Sequence, residues 1–202
     1  MMSEVDPLIA GFERGLASTP SSRMPWSTPR RPHTAVVACS DAGVDPERLF
    51  DASPGELYVI RNLGGLVPEY APDGGCHGTS AALEYAVRVL KVRRVVLLGH
   101  LGCAGVHAMI NGPLKNAQDF VFPWMEQAET VIWNLQKLDP GRSIQDQLED
   151  DVLRLSHANL MDFPWVRDRV LCGRLTIAVF KHDAKRSRLL AVMAEGRSGV
   201  GE

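Results

Sequence analysis

Three short apolar runs, each closed by a polar turn, constrain the fold of this 202-residue chain most strongly. TAVVAC begins at Thr34, LYVIRN occupies residues 57–62, and RRVVLLGH occupies residues 93–100. Short, β-branched runs of this kind are typical of strands that are buried on both faces of a parallel sheet. Strands of such a sheet are joined by right-handed crossovers, and their polar loops gather at the carboxyl ends of the strands.

The segments between and after these runs have the spacing of helices. In GTSAALEYAVRVLKV (78–92) apolar residues recur on one helical face after a Thr/Ser cap. Two further helices are predicted, from about 122 to 138 and from about 144 to 161, before a last β pair at LTIAVF and LLAVM. The sequence therefore predicts an α/β fold, with a mainly parallel β-sheet flanked by helices.

The N-terminal segment differs in texture from the rest of the chain. Leu8, Ile9, Phe12 and Leu16 form a short amphipathic stripe, and the Ser/Pro/Arg-rich stretch STPSSRMPWSTPRRP after it interrupts regular structure. We therefore predict an N-terminal helical arm and linker over residues 1–31. Residues 32–202 then form one α/β domain, since the chain is too short for two full domains of this class.

Composition narrows the classes of partner and compartment. The formal net charge is -2 and the basic residues are scattered, which argues against a nucleic-acid partner. No apolar run approaches the roughly 20 residues of a membrane helix, and the first residues lack a signal-peptide pattern. We expect a cytoplasmic protein without a membrane partner. Its four widely spaced cysteines favour free thiols or metal ligands over a disulfide framework.

Two of the predicted strands end in residues that bind metals. TAVVA leads into Cys39 and Asp41, and VVLLG leads into His100 and Cys103. Because ligand sites of open α/β sheets lie at the carboxyl edge of the strands, these side chains are expected to converge. Two thiolates and one imidazole are a tetrahedral donor set for Zn²⁺, and three protein ligands leave one position for water or a fourth side chain.

The motifs Cys39-Ser40-Asp41-Ala42-Gly43 and His100-Leu101-Gly102-Cys103 resemble the two ligand motifs of the β-carbonic anhydrases. VDPERLF, GELYVIRN, GTSAALEYAV, GHLGCAGV and LTIAVFKHDAKRSRLL also resemble segments of that family, and the resemblance spans about residues 12 to 192. It implies a zinc-binding domain over 32–202, with Cys39, His100 and Cys103 as zinc ligands and Asp41 as the carboxylate beside the metal.

The resemblance implies a reaction and an assembly as well. In a site of this class Zn²⁺ lowers the pKa of water from about 15.7 to near 7, and the nucleophile so formed attacks CO₂ to give bicarbonate. Asp41 is then the catalytic carboxylate that orients the nucleophile, or a fourth metal ligand. Arms like the N-terminal one wrap a neighbouring subunit in the family, so a homodimer or a higher even oligomer is expected.

This sequence departs from the family pattern beside Asp41. The Arg that normally pairs with this carboxylate is Gly43 here, and the Gln expected nine residues before Cys39 is Arg30. An Asp41 without its partner could bind the metal and close the site, although Arg30 or Arg31 offers a replacement guanidinium. Three alternatives stay open: a carbonic anhydrase, a catalytically silent zinc protein with a binding or assembly role, and a hydrolase of a small electrophile such as COS, CS₂ or cyanate.

Other residues are interpreted more plainly. Cys76 and His77 precede a helix where the family has no ligand. His107, four residues after Cys103 on a predicted helix, either approaches the site or is an exposed or proton-shuttling surface histidine. Gly64 and Gly65 form a tight turn by the pocket. The family's bicarbonate-inhibition pocket is poorly matched, and Trp124, Trp133 and Trp165 are assigned to packing. In that pocket the corresponding residues here are Val36, Arg61 and His182.

Overall fold

The computed structural model of the chain describes residues 6–18, 31–40, 44–111, 116–132 and 139–193. Five strands form one sheet with the spatial order β2-β1-β3-β4-β5. The strands are β1 (Thr34–Cys39), β2 (Leu57–Asn62), β3 (Arg94–His100), β4 (Thr176–Asp183) and β5 (Arg188–Ala191). The first four strands are parallel, and β5 pairs with β4 in the antiparallel direction. The predicted α/β fold with a mainly parallel sheet is confirmed.

The described ranges contain eight α-helices in addition to the sheet. They are α1 (Asp6–Ser18), α2 (Pro46–Leu49), α3 (Gly78–Glu84), α4 (Ala104–Asn111), α5 (Val121–Glu126), α6 (Glu129–Ile132), α7 (Ile144–Asp162) and α8 (Pro164–Leu171). The part of the chain that the structure describes contains no helix with the length and apolarity needed to cross a bilayer. Because residues 19–30 lie outside the described ranges, the division at 31/32 stays a prediction.

The three apolar runs are strands with buried side chains on both faces, as the sequence predicts. In β1, Ala35 and Val37 belong to the larger core cluster. This cluster also contains buried residues of α3, α7 and α8. Val36 and Ala38 point to the opposite face and pack beside the α2 segment. Burying both faces removes any alternation of polar and apolar residues, which explains the continuous apolar runs.

Two details of the helices differ from the sequence prediction. The helix at 78–92 has His77 at its N-cap with no side-chain cap hydrogen bond, and it continues from Tyr85 to Leu90 as a π-helix. The expected cap residue Thr79 instead accepts a hydrogen bond from Asn62 Nδ2, at 3.1 Å. The prediction of a Thr/Ser cap is therefore wrong, because the helix begins at Gly78 and Thr79 lies within its first turn.

The predicted helix at about 122–138 is also divided. It consists of α5 and α6, separated at Gln127 and Ala128, while residues 133–138 lie outside the described ranges. At the break the amide of Ala128 donates to the carbonyl of Met125 at 3.0 Å, which is the spacing of a tighter turn. By contrast, the helix predicted at about 144–161 is confirmed as α7.

The strand order places a topological switch point between β1 and β3. The chain leaves β1 toward β2 on one side, and returns from β2 to β3 on the other side of β1. In open α/β sheets this divergence leaves a crevice beyond the carboxyl ends of the two strands. Cys39 is the last residue of β1 and His100 is the last residue of β3, so the fold brings both side chains to this crevice.

Candidate metal centre

Three predicted ligand residues converge at the switch point. The candidate ligand atoms of Cys39, His100 and Cys103 all lie within 4.8 Å of one another, and within the described residues this is the group that could hold a metal ion. Both cysteines are buried and neither forms a disulfide, and His100 is partly buried. Asp41 and Gly43 lie outside the described residues, so the structure gives no position for the carboxylate or for its missing partner.

The separation of the two sulfur atoms fits a shared metal ion. Cys39 Sγ and Cys103 Sγ are 3.7 Å apart, far beyond the S–S bond length of about 2.05 Å in a disulfide. With Zn–S bonds of about 2.3 Å and a tetrahedral angle, two thiolates bound to one zinc ion lie about 3.8 Å apart. The donor set and its spacing therefore fit Zn²⁺ without rearrangement of the two cysteines.

The turn after β2 supports the first thiol. The amide of Gly64 donates to Cys39 Sγ at 3.3 Å, and a hydrogen bond of this kind favours the thiolate form that binds metals. Gly64 and Gly65 have φ values of 79° and 64°, so both use the left-handed conformation that glycine adopts readily. A Cβ on Gly65 would lie 3.3 Å from the backbone nitrogen of Cys39. The expected tight turn by the pocket is confirmed.

Two side chains fix the backbone around the same thiol. Arg61 donates from Nε and Nη2 to the carbonyl oxygen of Cys39, at 3.2 and 2.9 Å. Trp124 donates from Nε1 to the carbonyl oxygen of Leu63 at 2.8 Å, and so anchors the glycine turn from the side of α5. Trp124 is therefore more than a packing residue.

The imidazole of His100 is oriented by the backbone. Its Nδ1 lies 3.3 Å from the carbonyl oxygen of Leu101, an arrangement in which Nδ1 carries the proton and Nε2 is left as the ligand atom. The amide of Leu101 in turn donates to the carbonyl oxygen of His182 at 3.0 Å, which ties the turn after β3 to β4. The contact at Nδ1 thus leaves Nε2 as the nitrogen available to a metal ion.

A buried carboxylate on α7 holds the loop that carries Cys103. Glu149 is 3% exposed, and its Oε1 accepts hydrogen bonds from the amides of Gly102 at 2.7 Å and Cys103 at 3.1 Å. Burial raises the pKa of Glu149, and these two amides oppose that shift. Gln145 Nε2 also donates to Glu149 Oε1, at 3.2 Å. The sequence analysis missed both residues.

The other candidates that the structure describes are not members of the Cys39–His100–Cys103 group. Cys76 is exposed, and His77 pairs with Asp73 at 2.7 Å, so this pair does not join the three ligands. His107 is exposed on α4. Arg31 is exposed as well, and Arg30 and Trp133 lie outside the described residues. Trp165 packs edge-on against Phe163, as expected for a core aromatic.

A parallel α/β sheet with a Cys-His-Cys group at its switch point defines an α/β protein with a candidate metal site. A carbonic anhydrase family profile matches residues 34–189. A carbonic anhydrase of Pseudomonas aeruginosa is 34% identical over 176 residues, covering 86% of this chain and 79% of that protein. The chain belongs to the β-carbonic anhydrase family.

More distant relatives share the fold. A carbonic anhydrase of Synechococcus elongatus is 27% identical over 177 residues, 85% of this chain, and the match spans 64% of that relative's length. The β-carbonic anhydrase CcaA superposes with a TM-score of 0.81 at 25% identity, covering 93% of this chain and 86% of CcaA. A tetrameric β-carbonic anhydrase of Sordaria macrospora gives 0.77 at 20% identity, with coverages of 96% and 100%.

Proposed function

We propose that this chain is a zinc enzyme that reversibly hydrates CO₂ to bicarbonate. The observation that carries the proposal is the convergence of Cys39, His100 and Cys103 at the switch point, in a chain that belongs to the β-carbonic anhydrase family. When bound there, Zn²⁺ would supply a nucleophile at neutral pH by lowering the pKa of water from about 15.7 to near 7.

The protein's own groups would prepare the centre for this chemistry. The amide of Gly64 withdraws electron density from Cys39 Sγ, which counteracts the weak Lewis acidity that two thiolates impose on a metal. The Leu101 carbonyl fixes the ring of His100, and Glu149 fixes the amide of Cys103. The three ligands are thus held in position from three different elements, which limits their rearrangement on binding.

Asp41 has the proposed catalytic role. It follows Cys39 by two residues, and in this role it accepts a hydrogen bond from the attacking water and orients it toward CO₂. The alternative is that Asp41, without the Arg replaced by Gly43, binds the metal as a fourth ligand and closes the site. The orienting role gives an active enzyme and the ligand role gives an inactive one, although both proteins bind the same amount of zinc.

The decisive experiment measures CO₂ hydration on zinc-loaded protein. Stopped-flow mixing of CO₂ with a pH indicator should give a rate well above that of buffer. Cys103→Ala, verified as folded, should lose both zinc and rate. A zinc-replete protein whose rate equals that of buffer would contradict the enzyme proposal. The same protein then tests the alternatives: COS, CS₂ and cyanate are assayed next, and inactivity on all of them indicates a silent zinc protein.

We also propose an even oligomer, a homodimer or a multiple of it. α1 exposes Leu8 (75%), Ile9 (50%) and Phe12 (60%), an apolar stripe that a second subunit would cover. The Sordaria relatives are described as tetrameric, which agrees with an even number of subunits. Sedimentation should show a dimer or larger species, and deletion of residues 1–25 should weaken it. A clean monomer at micromolar concentration would contradict this proposal.

A cytoplasmic location is proposed on the chemistry of the thiols. Cys39 and Cys103 bind zinc only as thiolates, and a reducing compartment keeps such thiols available. Cell fractionation with a tagged chain should place the protein in the cytoplasmic fraction. Recovery in an oxidising compartment would contradict this assignment.

A further inference from the structure

A lysine is buried beneath the loop that carries Cys103. Lys181 lies on β4 and is 1% exposed. Its Nζ lies 2.5 Å from one carboxylate oxygen each of Asp146 and Asp150, and 3.9 Å from Glu149 Oε2. It also donates to the backbone carbonyl of Asp146 at 2.8 Å. One ammonium thus faces three carboxylates from a single face of α7.

The two oxygens of Glu149 have different neighbours. Oε1 accepts the amides of Gly102 and Cys103, whereas Oε2 faces Lys181 and is buried without a hydrogen-bond partner among the described residues. The ammonium is therefore the nearby positive charge that attracts this second oxygen. Glu149 therefore links β4 to the loop that carries Cys103, because one of its oxygens binds that loop and the other faces the buried cation.

A second cation lies on the outer side of the cluster. Arg142 contacts Asp146 at 2.8 Å and Asp150 at 2.7 Å, and its side chain is 38% exposed. Its ion pairs are with these two aspartates, so it shares the partners of Lys181 except Glu149. Arg142 is therefore a matched control for Lys181, because it is a cation paired with the same two aspartates but lies at an exposed position.

Stability alone does not account for a lysine at this position. Removing two or more charges from water costs several kcal/mol per ion, and apolar replacements of buried ionic clusters are often neutral or stabilising. A fixed ammonium does, however, hold the carboxylate of Glu149 in one place, because it attracts Oε2 from one direction and is buried away from solvent. Without it, Asp146, Glu149 and Asp150 repel one another across one helix face.

We propose that Lys181 is a positioning residue for the metal centre, acting through Glu149 on the Gly102–Cys103 amides. The inference rests on the proposed role of Cys103 and His100 as metal ligands. It assigns to β4 a part in the geometry of the centre, through the contact of Lys181 with Glu149. Loss of the ammonium should release Glu149 and loosen the position of Cys103.

The test compares metal binding by the full chain and five variants: Lys181→Met, Lys181→Arg, Arg142→Met, Glu149→Gln and the double variant of Glu149→Gln with Lys181→Met. Zinc affinity is measured by competition with a chromophoric chelator, and the geometry of the centre by the visible absorption of the Co²⁺-loaded protein. Circular dichroism of each metal-free variant verifies folding. Lys181→Met should weaken zinc binding by about tenfold, the lower end of the range for groups that support metal ligands, and should shift the cobalt bands.

The other variants separate positioning from general electrostatics. Lys181→Arg should restore most of the affinity, and Arg142→Met should leave affinity and cobalt bands unchanged although it removes a charge from the same cluster. In Glu149→Gln the amide oxygen can still accept from Gly102 and Cys103 without a counter-charge. Adding Lys181→Met to that variant should therefore have no further effect on affinity.

Two results would overturn the inference: zinc affinity and cobalt bands of Lys181→Met that match the parent, or an equal loss in Arg142→Met. If Lys181→Met does not fold, Lys181→Gln replaces it under the same two criteria. A parent protein that binds no zinc overturns this inference together with the proposed function. A parent that binds zinc, with a Lys181 variant that binds it equally well, overturns this inference alone.

Discussion

Gly65 gives the sharpest test of how closely the backbone must approach the metal centre. It has φ of 64°, and a Cβ at this position would lie 3.3 Å from the nitrogen of Cys39 and 3.4 Å from the carbonyl carbon of Ala38. Gly173 is a matched control, because it has φ of 69° and a Cβ there would meet no atom within 4 Å. Gly173 precedes β4, at the opposite edge of the sheet from the ligands.

The two substitutions to Ala share one penalty and differ in another. Each forces a non-glycine residue into the left-handed region, which costs about 1–2 kcal/mol of unfolding free energy. Gly65→Ala adds overpacking against the backbone of β1, of about 1–3 kcal/mol. Relief of that contact needs a shift of a few tenths of an ångström at Cys39, comparable with the tolerance of about 0.2 Å for metal–ligand distances.

We therefore expect both variants to lose stability but only one to lose metal affinity. Urea unfolding in the presence of a chelator measures the backbone penalties, and chelator competition measures zinc affinity. Gly65→Ala should weaken zinc binding by about tenfold or more, and Gly173→Ala should bind zinc like the parent. Equal zinc affinities in the two variants, with Gly65→Ala folded, would refute the idea that the glycine turn positions Cys39.

Three further predictions concern packing, pH and ligand choice. Leu153→Ala should lower the free energy of unfolding by about 2–5 kcal/mol. Gly99→Ala should lower it by about 1–3 kcal/mol, because its Cβ would lie 2.7 Å from Leu153 Cδ1. Urea unfolding of the double variant should show a loss smaller than the sum of the two single losses, because removal of the Leu153 side chain makes room for the new Cβ. Burial lowers the pKa of His157 below its ordinary value of 6.5. The unfolded state therefore binds more protons than the folded state, and the free energy of unfolding decreases as the pH falls through the ordinary pKa. Compared with the parent, His157→Gln should show a smaller drop in melting temperature between about pH 7.5 and about pH 5.5. By elemental analysis Cys103→Ala should lose zinc and Cys76→Ala should keep it, and the reverse result would contradict the ligand assignment.

The strands and the ligand group were predictable because their signals are local. A buried parallel strand needs a short apolar run, and its carboxyl end is marked by the polar residues that follow, as at Cys39 and His100. The strand order then brings these two ends together at the switch point between β1 and β3. Sequence reasoning therefore predicted the convergence of Cys39, His100 and Cys103 from the ends of elements rather than from tertiary contacts.

The support of the centre was missed because it depends on contacts distant in sequence. Asp146, Glu149 and Asp150 look like the solvated face of a helix until Lys181 on β4 is placed beside them. Lys181 directly follows LTIAVF, so in the sequence it looks like a residue at the end of a strand whose side chain is exposed to solvent. The available signal was the helical spacing of the three acids, which puts them on one face together with the apolar core positions of α7.

The last prediction concerns Gly43, where the family pattern and this sequence differ beside the metal. An Arg at this position can form a bidentate pair with Asp41, and charge-assisted hydrogen bonds contribute about 1.5–3 kcal/mol each. That stabilisation competes with a metal–carboxylate bond, so it favours an orienting role of Asp41 over a ligand role. Gly43→Arg should then raise the CO₂ hydration rate by about tenfold or more, equivalent to about 1.4 kcal/mol of barrier.

Gly43→Ala is the control for this experiment, since it adds the same Cβ without the guanidinium. Both variants are compared at equal zinc content and after verification of folding, because a turn with positive φ at this position would penalise them equally. A folded, zinc-replete Gly43→Arg protein with the activity of Gly43→Ala would show that the missing guanidinium does not limit the site. A parent rate already as high as that of folded Gly43→Arg would refute the argument more directly. Arg30→Met and Arg31→Met would then test, by loss of rate, whether either arginine replaces the missing partner of Asp41.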